Sequence, residues 1–527
     1  MLEGGLSMGR RKQFRQEIIQ HASSLKAKNL YASLIKETNE KFVPEKAMAE
    51  IVATKAYSTL KNTMETRYDE DLIITAIAGR NTHCKTSFQA HEKIKVHITP
   101  YLYDEIELFE LGGLRSLQNN RVCRIIEQVY FQDALLNTRM IAFLTNLDIK
   151  TVRERLKPLW KKGVKLPLCG MKKEHRSPDQ RFRSTEAIRR YLQGDKVGTI
   201  LDNLYLTRRE FLEFQLEMAR IGKLSGSYTE EEIILQTGYN REKVQEYLEL
   251  LEKGKSSPQF RQVEKDLVYS KAPQGKGWQA FAEDLEVNHN WSPAKIKAYF
   301  EFLENYHQTD SPGRPDNTVI YYAVSTNEPA GKPLAECQKV PVVLSYYTPE
   351  EQDQFDCCST SWLKWGRILR YTTEARKEGA LLNQSDLVFL LGVHSSVIQR
   401  LLKENKEVMV PTRGNFKDIG PGISHAEKII ELYIHGYTET QIKKRTGHSY
   451  ESIENYIRNF ATLAGLLERG LPLPLIRQVM GKSMNLLKRY KTLYDEYNTE
   501  EYAFFFHHLL KIFEREELKK KYNSKGV

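Results

Sequence analysis

The chain has 527 residues, 40% of them hydrophobic and 28% charged, which excludes a disordered polymer and leaves room for more than one core. Lys and Arg outnumber Asp and Glu by 79 to 68, giving a net charge of +11 and a pI near 9.0. This mild excess admits a polyanionic partner without requiring one, and no apolar run approaches the roughly 18 residues of a membrane span.

From the N-terminus, MLEGGLSMGRRKQF carries charge with no apolar stretch behind it, so no secretory signal is expected, and Met8 is an alternative start. Residues 8–70 form an expected helical segment, with Ile18, Ile19, Leu25, Leu30, Leu34 and Ile35 near helical spacing. A small α/β element is expected over 71–133, its strands being Asp71–Ala78 and Lys93–Ile98, both β-branched and bounded by turn residues. A helical array follows over 134–254. The series then recurs, as a helical segment over 258–315, an α/β element over 316–379 with strands Asn317–Val324 and Lys339–Tyr347, and a helical array over 380–495. A basic helix or tail closes the chain over 496–527.

This recurrence is a tandem duplication. Ala134–Asn137 and Ala380–Asn383 are both Ala-Leu-Leu-Asn, 246 positions apart. The same offset carries Ile74 onto Ile320, Val96 onto Val342, Arg121 onto Arg367, Arg124 onto Arg370 and Val152 onto Ile398. Farther on it becomes 242, with Ile188, Tyr191 and Gly194 falling on Ile430, Tyr433 and Gly436. The expected fold is therefore mainly α, in two tandem homologous repeats. Each has N-terminal helices, a small β element and about three helix-turn-helix units, making a monomeric pseudo-dimer.

In such a unit a small or apolar residue faces the partner helix, a glycine turns the chain four residues on, and an aliphatic anchor follows six later. The first repeat offers Ala142, Asn146 and Val152, then Leu201, Tyr205 and Phe211, then Ile234, Gly238 and Val244. The second offers Val388, Gly392 and Ile398, then Lys443, Gly447 and Ile453, then Gly481 and Leu487. Tyr205 departs most from the pattern, because a non-glycine residue is costly in a left-handed turn.

The stretch LLNQSDLVFLLGV, the loop PTRGNFKDIGPGISH (Pro411–His425), and ESIENYIRNF with GLPLPLIRQVMGKS resemble a prokaryotic family catalogued as domain of unknown function 1670. The resemblance covers most of the second half and reaches the first half more faintly. It implies helix-turn-helix architecture in an archaeal or bacterial protein. It implies no activity and supplies no catalytic residues.

Polar and basic side chains at the start of a second helix suit base edges and phosphates, because that end enters the groove. In the first repeat these are Lys150, Thr151 and Arg153, then Arg208 and Arg209, then Arg241 and Lys243. In the second they are His394, Ser395, Ser396, Gln399 and Arg400, then Ser449, Tyr450 and Asn455, then Lys482, Ser483 and Asn485. VMVPTRG is expected to form the strand and tip of a wing that lays Arg413 and Lys417 on phosphates. The alternative for each is a solvated helix face or a rigid linker. Ser424 and Glu427 have the spacing of a capping box.

No metal and no other cofactor is expected. No cysteine pair has zinc spacing, and the six cysteines lack a disulfide framework, which points to a reducing cytoplasm. The acidic run Asp69–Asp71 has no acidic counterpart run at Asp316–Asn317, and no nucleotide-binding or nucleophile motif is present. The expected function is sequence-specific binding of double-stranded DNA, as a transcription regulator or mobile-element accessory with a possible protein partner in either process. The alternatives are an enzyme component of recombination or transposition, and a protein-interaction adaptor.

Overall fold

The repeated Ala-Leu-Leu-Asn begins as a strand and, in the first repeat, ends as a helix cap: the Asn137 side chain accepts from the Met140 amide at 2.8 Å. In the computed structural model, residues 8–26, 30–63, 67, 69–79, 91–170, 179–254, 257–261, 277–304, 314–329, 332–355, 357–405, 408–416, 425–446 and 450–523 are described. The protein is mainly helical, with two small sheets. Strands β1 (Leu72–Ala78), β2 (Lys93–Ile98) and β3 (Ala134–Leu135) have spatial order β2-β1-β3. Strands β4 (Thr318–Ser325), β5 (Lys339–Ser345) and β6 (Ala380–Leu381) repeat that order as β5-β4-β6. Ile74 pairs with Val96 and Ile320 with Val343 in antiparallel ladders. The two-residue third strands were not expected, being too short to carry a period.

The chain divides away from the repeat boundary. One compact unit takes 1–326, 333–380 and 385–401; the other takes 327–332, 381–384 and 402–527. The first unit thus holds the first repeat together with most of the sheet and of the first helix-turn-helix of the second.

Within this first unit the repeats meet in a shared helical core and between their sheets. The helix pairs Leu30–Lys41 with Lys46–Thr63, and Trp278–His289 with Pro293–Glu304, share one core of Val52, Ala56, Leu285, Trp291 and Tyr299. The second pair turns through Asn290 in the left-handed region at φ 52, a hairpin absent from the six expected. Beside it the sheets meet, with the Ile73 amide donating to the Asp316 carbonyl and the Ile320 amide to that of Asp69. The long helix Glu105–Phe131, kinked at Gly113 (φ 69), follows the second strand of the first sheet, as its homologue Thr360–Lys377 follows that of the second.

The second unit is built on Tyr450–Glu468. Ile453, Ile457, Phe460 and Leu463 pack with Ile429, Ile442, Ile476 and Leu487 from the surrounding helices. The closing helix Ala503–Asn523 inserts Phe506, Leu509 and Phe513 into the same core, so its first half is part of the fold rather than a tail.

Candidate nucleic-acid interface

The helix-turn-helix pattern has a geometric basis at the turns. Asn146, Tyr205, Gly238, Gly392 and Gly481 all sit at positive φ, between 54° and 70°. Gly447 lies outside the described residues. The amides of Asn146, Tyr205, Gly238 and Gly481 bond to carbonyls four residues back, and those of Leu147, Leu206 and Val393 to carbonyls five back, satisfying the helix ends. Tyr205 therefore makes the left-handed turn despite its side chain. All six anchors, Val152, Phe211, Val244, Ile398, Ile453 and Leu487, are buried.

The two first units, Thr138–Thr145 with Ile149–Lys161 and Gln384–Leu391 with Ser395–Glu404, are joined by reciprocal contacts. The Arg121 guanidinium lies 4.9 Å from the ring centroid of Phe389, and that of Arg367 lies 4.8 Å from Phe143, its counterpart. Arg121 donates to the Phe389 carbonyl at 2.8 Å. Arg367 donates to Asn146 Oδ1 at 3.0 Å, while Asn146 Nδ2 donates to the Leu391 carbonyl at 3.1 Å. Gln118 donates to the Gly392 carbonyl at 2.9 Å and accepts from Arg155 of the first unit's second helix, also at 2.9 Å.

Behind the arginines stand Glu105 and Glu351, again 246 positions apart. Glu105 pairs with Arg121 at 2.8 Å and with Arg124; Glu351 pairs with Arg367 at 3.6 Å and with Arg370. Both carboxylates and both stacking arginines are buried. Each guanidinium is thus held between a carboxylate of its own repeat and an aromatic ring of the other. Arg121, Arg367 and Gln118 were not foreseen as site residues; the arginines' shared offset was the available signal.

This arrangement leaves parts of both second helices exposed. Lys150 and Arg153 are exposed, with Lys157 and Lys161 on the same face. Thr151 is tied to the cap, its amide and hydroxyl each 2.7 Å from Asp148 oxygens. On the other helix Ser396, Gln399 and Arg400 are exposed, with Arg400 3.4 Å from Ser361 Oγ. His394 caps that helix, its Nδ1 accepting from the Ser396 amide at 3.2 Å.

Four expected contact residues are instead inside the fold. Arg209 is buried against Asp104 at 3.3 Å, 5.1 Å from the Tyr57 ring centroid. Lys243 is buried against Glu217 at 2.6 Å, between the rings of Phe131 and Tyr239. Ser395 is buried and donates to Glu17. Arg413 is buried, its amide donating to the Leu382 carbonyl at 2.7 Å and its Nη2 to that of Pro329 at 3.0 Å. In each case an internal acceptor compensates a charge or hydroxyl taken out of water.

Arg413 also begins a short helix, Arg413–Phe416, and residues 408–412 form no strand, so the expected wing is absent. Lys417, Ser424 and Ser449 lie outside the described residues, as does the Asn485 side chain. Arg208 is exposed and pairs with Glu107 at 3.1 Å; Arg241 is exposed and pairs with Glu230 and Glu231, each at 3.1 Å. Tyr450 and Asn455 are exposed, Tyr450 beneath Lys443 at 4.1 Å. Ser483 caps its helix, accepting from the Leu486 amide at 3.3 Å, and Lys482 is half-buried beside it.

The acidic run is structural as well. Asp71 bonds His97 Nδ1 at 2.6 Å, Asp69 accepts from the Tyr322 hydroxyl at 2.8 Å, and Glu70 is buried. Among the described residues no group of three or more His, Cys, Asp or Glu is placed to hold a metal ion. Cys169 is disulfide-bonded, contrary to the expectation of thiols throughout, whereas Cys123, Cys337, Cys357 and Cys358 are free. No described helix is long and apolar enough to cross a membrane.

The profile of the family described as "Protein of unknown function (DUF1670)" matches residues 38–250 and 295–493. The chain belongs to that family, and the two matched segments correspond to the two repeats. Neither a curated protein nor a solved structure matches the chain.

Proposed function

We propose that this protein binds double-stranded DNA in a sequence-dependent way, through the second helices of its two first helix-turn-helix units. The reciprocal stacking of Arg121 on Phe389 and Arg367 on Phe143 carries the reading. It fixes two homologous units across an internal pseudo-two-fold, which is how dimeric helix-turn-helix proteins present two recognition helices to two half-sites. Lys150, Arg153, Lys157 and Lys161 suit phosphates on one side; Ser396, Gln399 and Arg400 suit base edges on the other. A role in transcription regulation, or as a mobile-element accessory in a prokaryotic cytoplasm, fits a DNA-marking protein of this design.

The test is fluorescence anisotropy on a labelled random-sequence duplex over a range of salt. Binding that weakens linearly in log–log form with added salt is expected. Absence of binding at low salt would sink the reading.

A protein-adaptor reading is favoured by one observation. The first helices of the third hairpins carry exposed Leu235 in one repeat, and exposed Leu475 and Val479 in the other. Salt-independent failure to bind DNA would bring it forward.

A further inference from the structure

The pseudo-two-fold is broken at a proposed DNA-contacting helix. The helix Met8–Lys26 packs Ile18, Ala22 and Leu25 inward. Its Glu17 accepts a hydrogen bond from Ser395, the first residue of the helix Ser395–Glu404. One turn along, His21 Nδ1 lies 2.8 Å from Ser385 Oγ on the preceding helix of that unit. Glu17, Ile18 and His21 line a small pocket with Phe109, Val388 and Ser395.

Among the described residues the corresponding face of the first repeat is lined differently. There Arg139, the counterpart of Ser385, and Phe355, the counterpart of Phe109, line a surface pocket with Met140 and Phe143, and no described residue of Met8–Lys26 borders it. Ile149, the counterpart of Ser395, is half-exposed where Ser395 is buried. One second helix therefore begins at a half-exposed Ile149, and the other begins at a Ser395 bonded to an acidic side chain.

We propose that Met8–Lys26 is an autoinhibitory cover on the second repeat's DNA-reading helix, with Glu17 standing where a backbone phosphate would approach. A helix N-terminus carries a partial positive charge, so it favours an anion; carboxylate and phosphate compete for that end. DNA must displace the cover before Ser396 and Gln399 enter the groove, whereas the Lys150–Lys161 face docks without rearrangement. The first repeat thus supplies initial, salt-sensitive capture, and the second engages only on a duplex whose contacts outweigh the cover.

This inference rests on the DNA-binding reading, and the experiment separates the two. The full-length protein, its Glu17→Gln variant and a Lys150→Ala/Lys157→Ala variant are titrated on a duplex selected from random sequences for tight binding. Hydrogen exchange of residues 8–26 is followed in the wild type with and without saturating duplex. The expected result is about fivefold tighter binding by Glu17→Gln and faster exchange across 8–26 in the complex. If wild type binds and the double lysine variant binds more weakly, but Glu17→Gln does not bind more tightly or 8–26 keeps its protection, the autoinhibition is wrong and the DNA reading stands. If neither wild type nor Glu17→Gln binds duplex, both fall together.

Discussion

Arg121 of the first repeat lies 4.9 Å from the ring centroid of Phe389 in the second, and the exchange is returned by Arg367 on Phe143 at 4.8 Å. Each arginine is also the partner of a buried carboxylate, Glu105 or Glu351. Removing either guanidinium strands a buried charge and a buried carbonyl or amide acceptor in the other repeat. Arg121→Ala and Arg367→Ala are each expected to lower unfolding stability by about 3–5 kcal/mol in urea titrations. Lysine at either site should recover little, since an ammonium has neither the flat face nor the fork. A loss under about 1 kcal/mol for both would mean the stack is incidental.

The two non-glycine turns of the first repeat should respond oppositely to glycine. Tyr205 and Asn146 both sit in the left-handed region, at φ 54 and 57. The Tyr205 ring is half-exposed, and its main contribution is a carbonyl that accepts from Asn120, which glycine retains. Asn146 is buried and bridges Arg367 to the Leu391 carbonyl. Tyr205→Gly should therefore stabilise the fold by up to about 1 kcal/mol through relief of strain. Asn146→Gly should destabilise it by about 1–3 kcal/mol through stranded hydrogen-bonding groups. Thermal melts of the two variants compare them directly.

What was legible in the sequence was local. The strand runs and the anchors at Val152 and Ile398 depend on residues a few positions apart. Arg209, Lys243, Ser395 and Arg413 have the composition of contact residues at helix starts. Their acceptors Asp104, Glu217, Glu17 and Pro329 are brought to them by tertiary folding, and no periodicity marks such pairs. The division of the chain near residue 401 is also unmarked locally. Buried Arg183 is tied to Glu127 at 2.8 Å and to Glu210 at 3.4 Å, whereas the aligned positions in the second repeat hold His425, Thr373 and Ser452. Repeats that look alike in hydrophobic pattern thus differ in buried charge.

That buried cluster gives a further expectation. Burial pushes the Glu127 carboxyl above its usual range, with Arg183 opposing the shift. Arg183→Ala leaves both glutamates without their cation and should cost about 3–5 kcal/mol. Arg183→Ala combined with Glu127→Gln should be less damaging than the single change. A double-mutant cycle with no coupling would refute the pairing.

Acid should loosen the shared N-terminal helical core. Burial alone would raise the Asp284 carboxyl, but the neighbouring His289 together with Lys55 and Asn288 brings it down to about 2. Lys55 Nζ is 2.7 Å away, His289 Nε2 3.7 Å, and Lys223 also faces the carboxylate. A depressed folded-state value means the unfolded chain binds the proton more readily. The stabilisation, about 2 kcal/mol, is thus complete above the ordinary value near 3.8 and disappears as pH falls towards 2. Asp284→Asn should flatten the pH dependence of stability across that window, as read by denaturant unfolding; an unchanged slope would show that another carboxylate governs it.

Specificity and affinity should separate between the two second helices. Lys150 and Lys157 carry charge on an exposed face, so replacing both with Ala should weaken binding about equally on every duplex. It should also shrink the log–log salt slope by about 1 for each phosphate that is no longer neutralised. Ser396 and Gln399 are exposed but uncharged, so replacing them should leave that slope unchanged. Their removal should instead cost about 1–3 kcal/mol per base recognised on a site selected from random duplexes, with little effect on unselected DNA. Ser395 is the internal control: it is buried against Glu17, and Ser395→Ala should act through the cover rather than through a base. If Ser396→Ala/Gln399→Ala binds selected and random duplexes in the wild-type ratio while folded, the second repeat's helix does not read sequence, and the exposed apolar residues of the third hairpins become the surface to pursue.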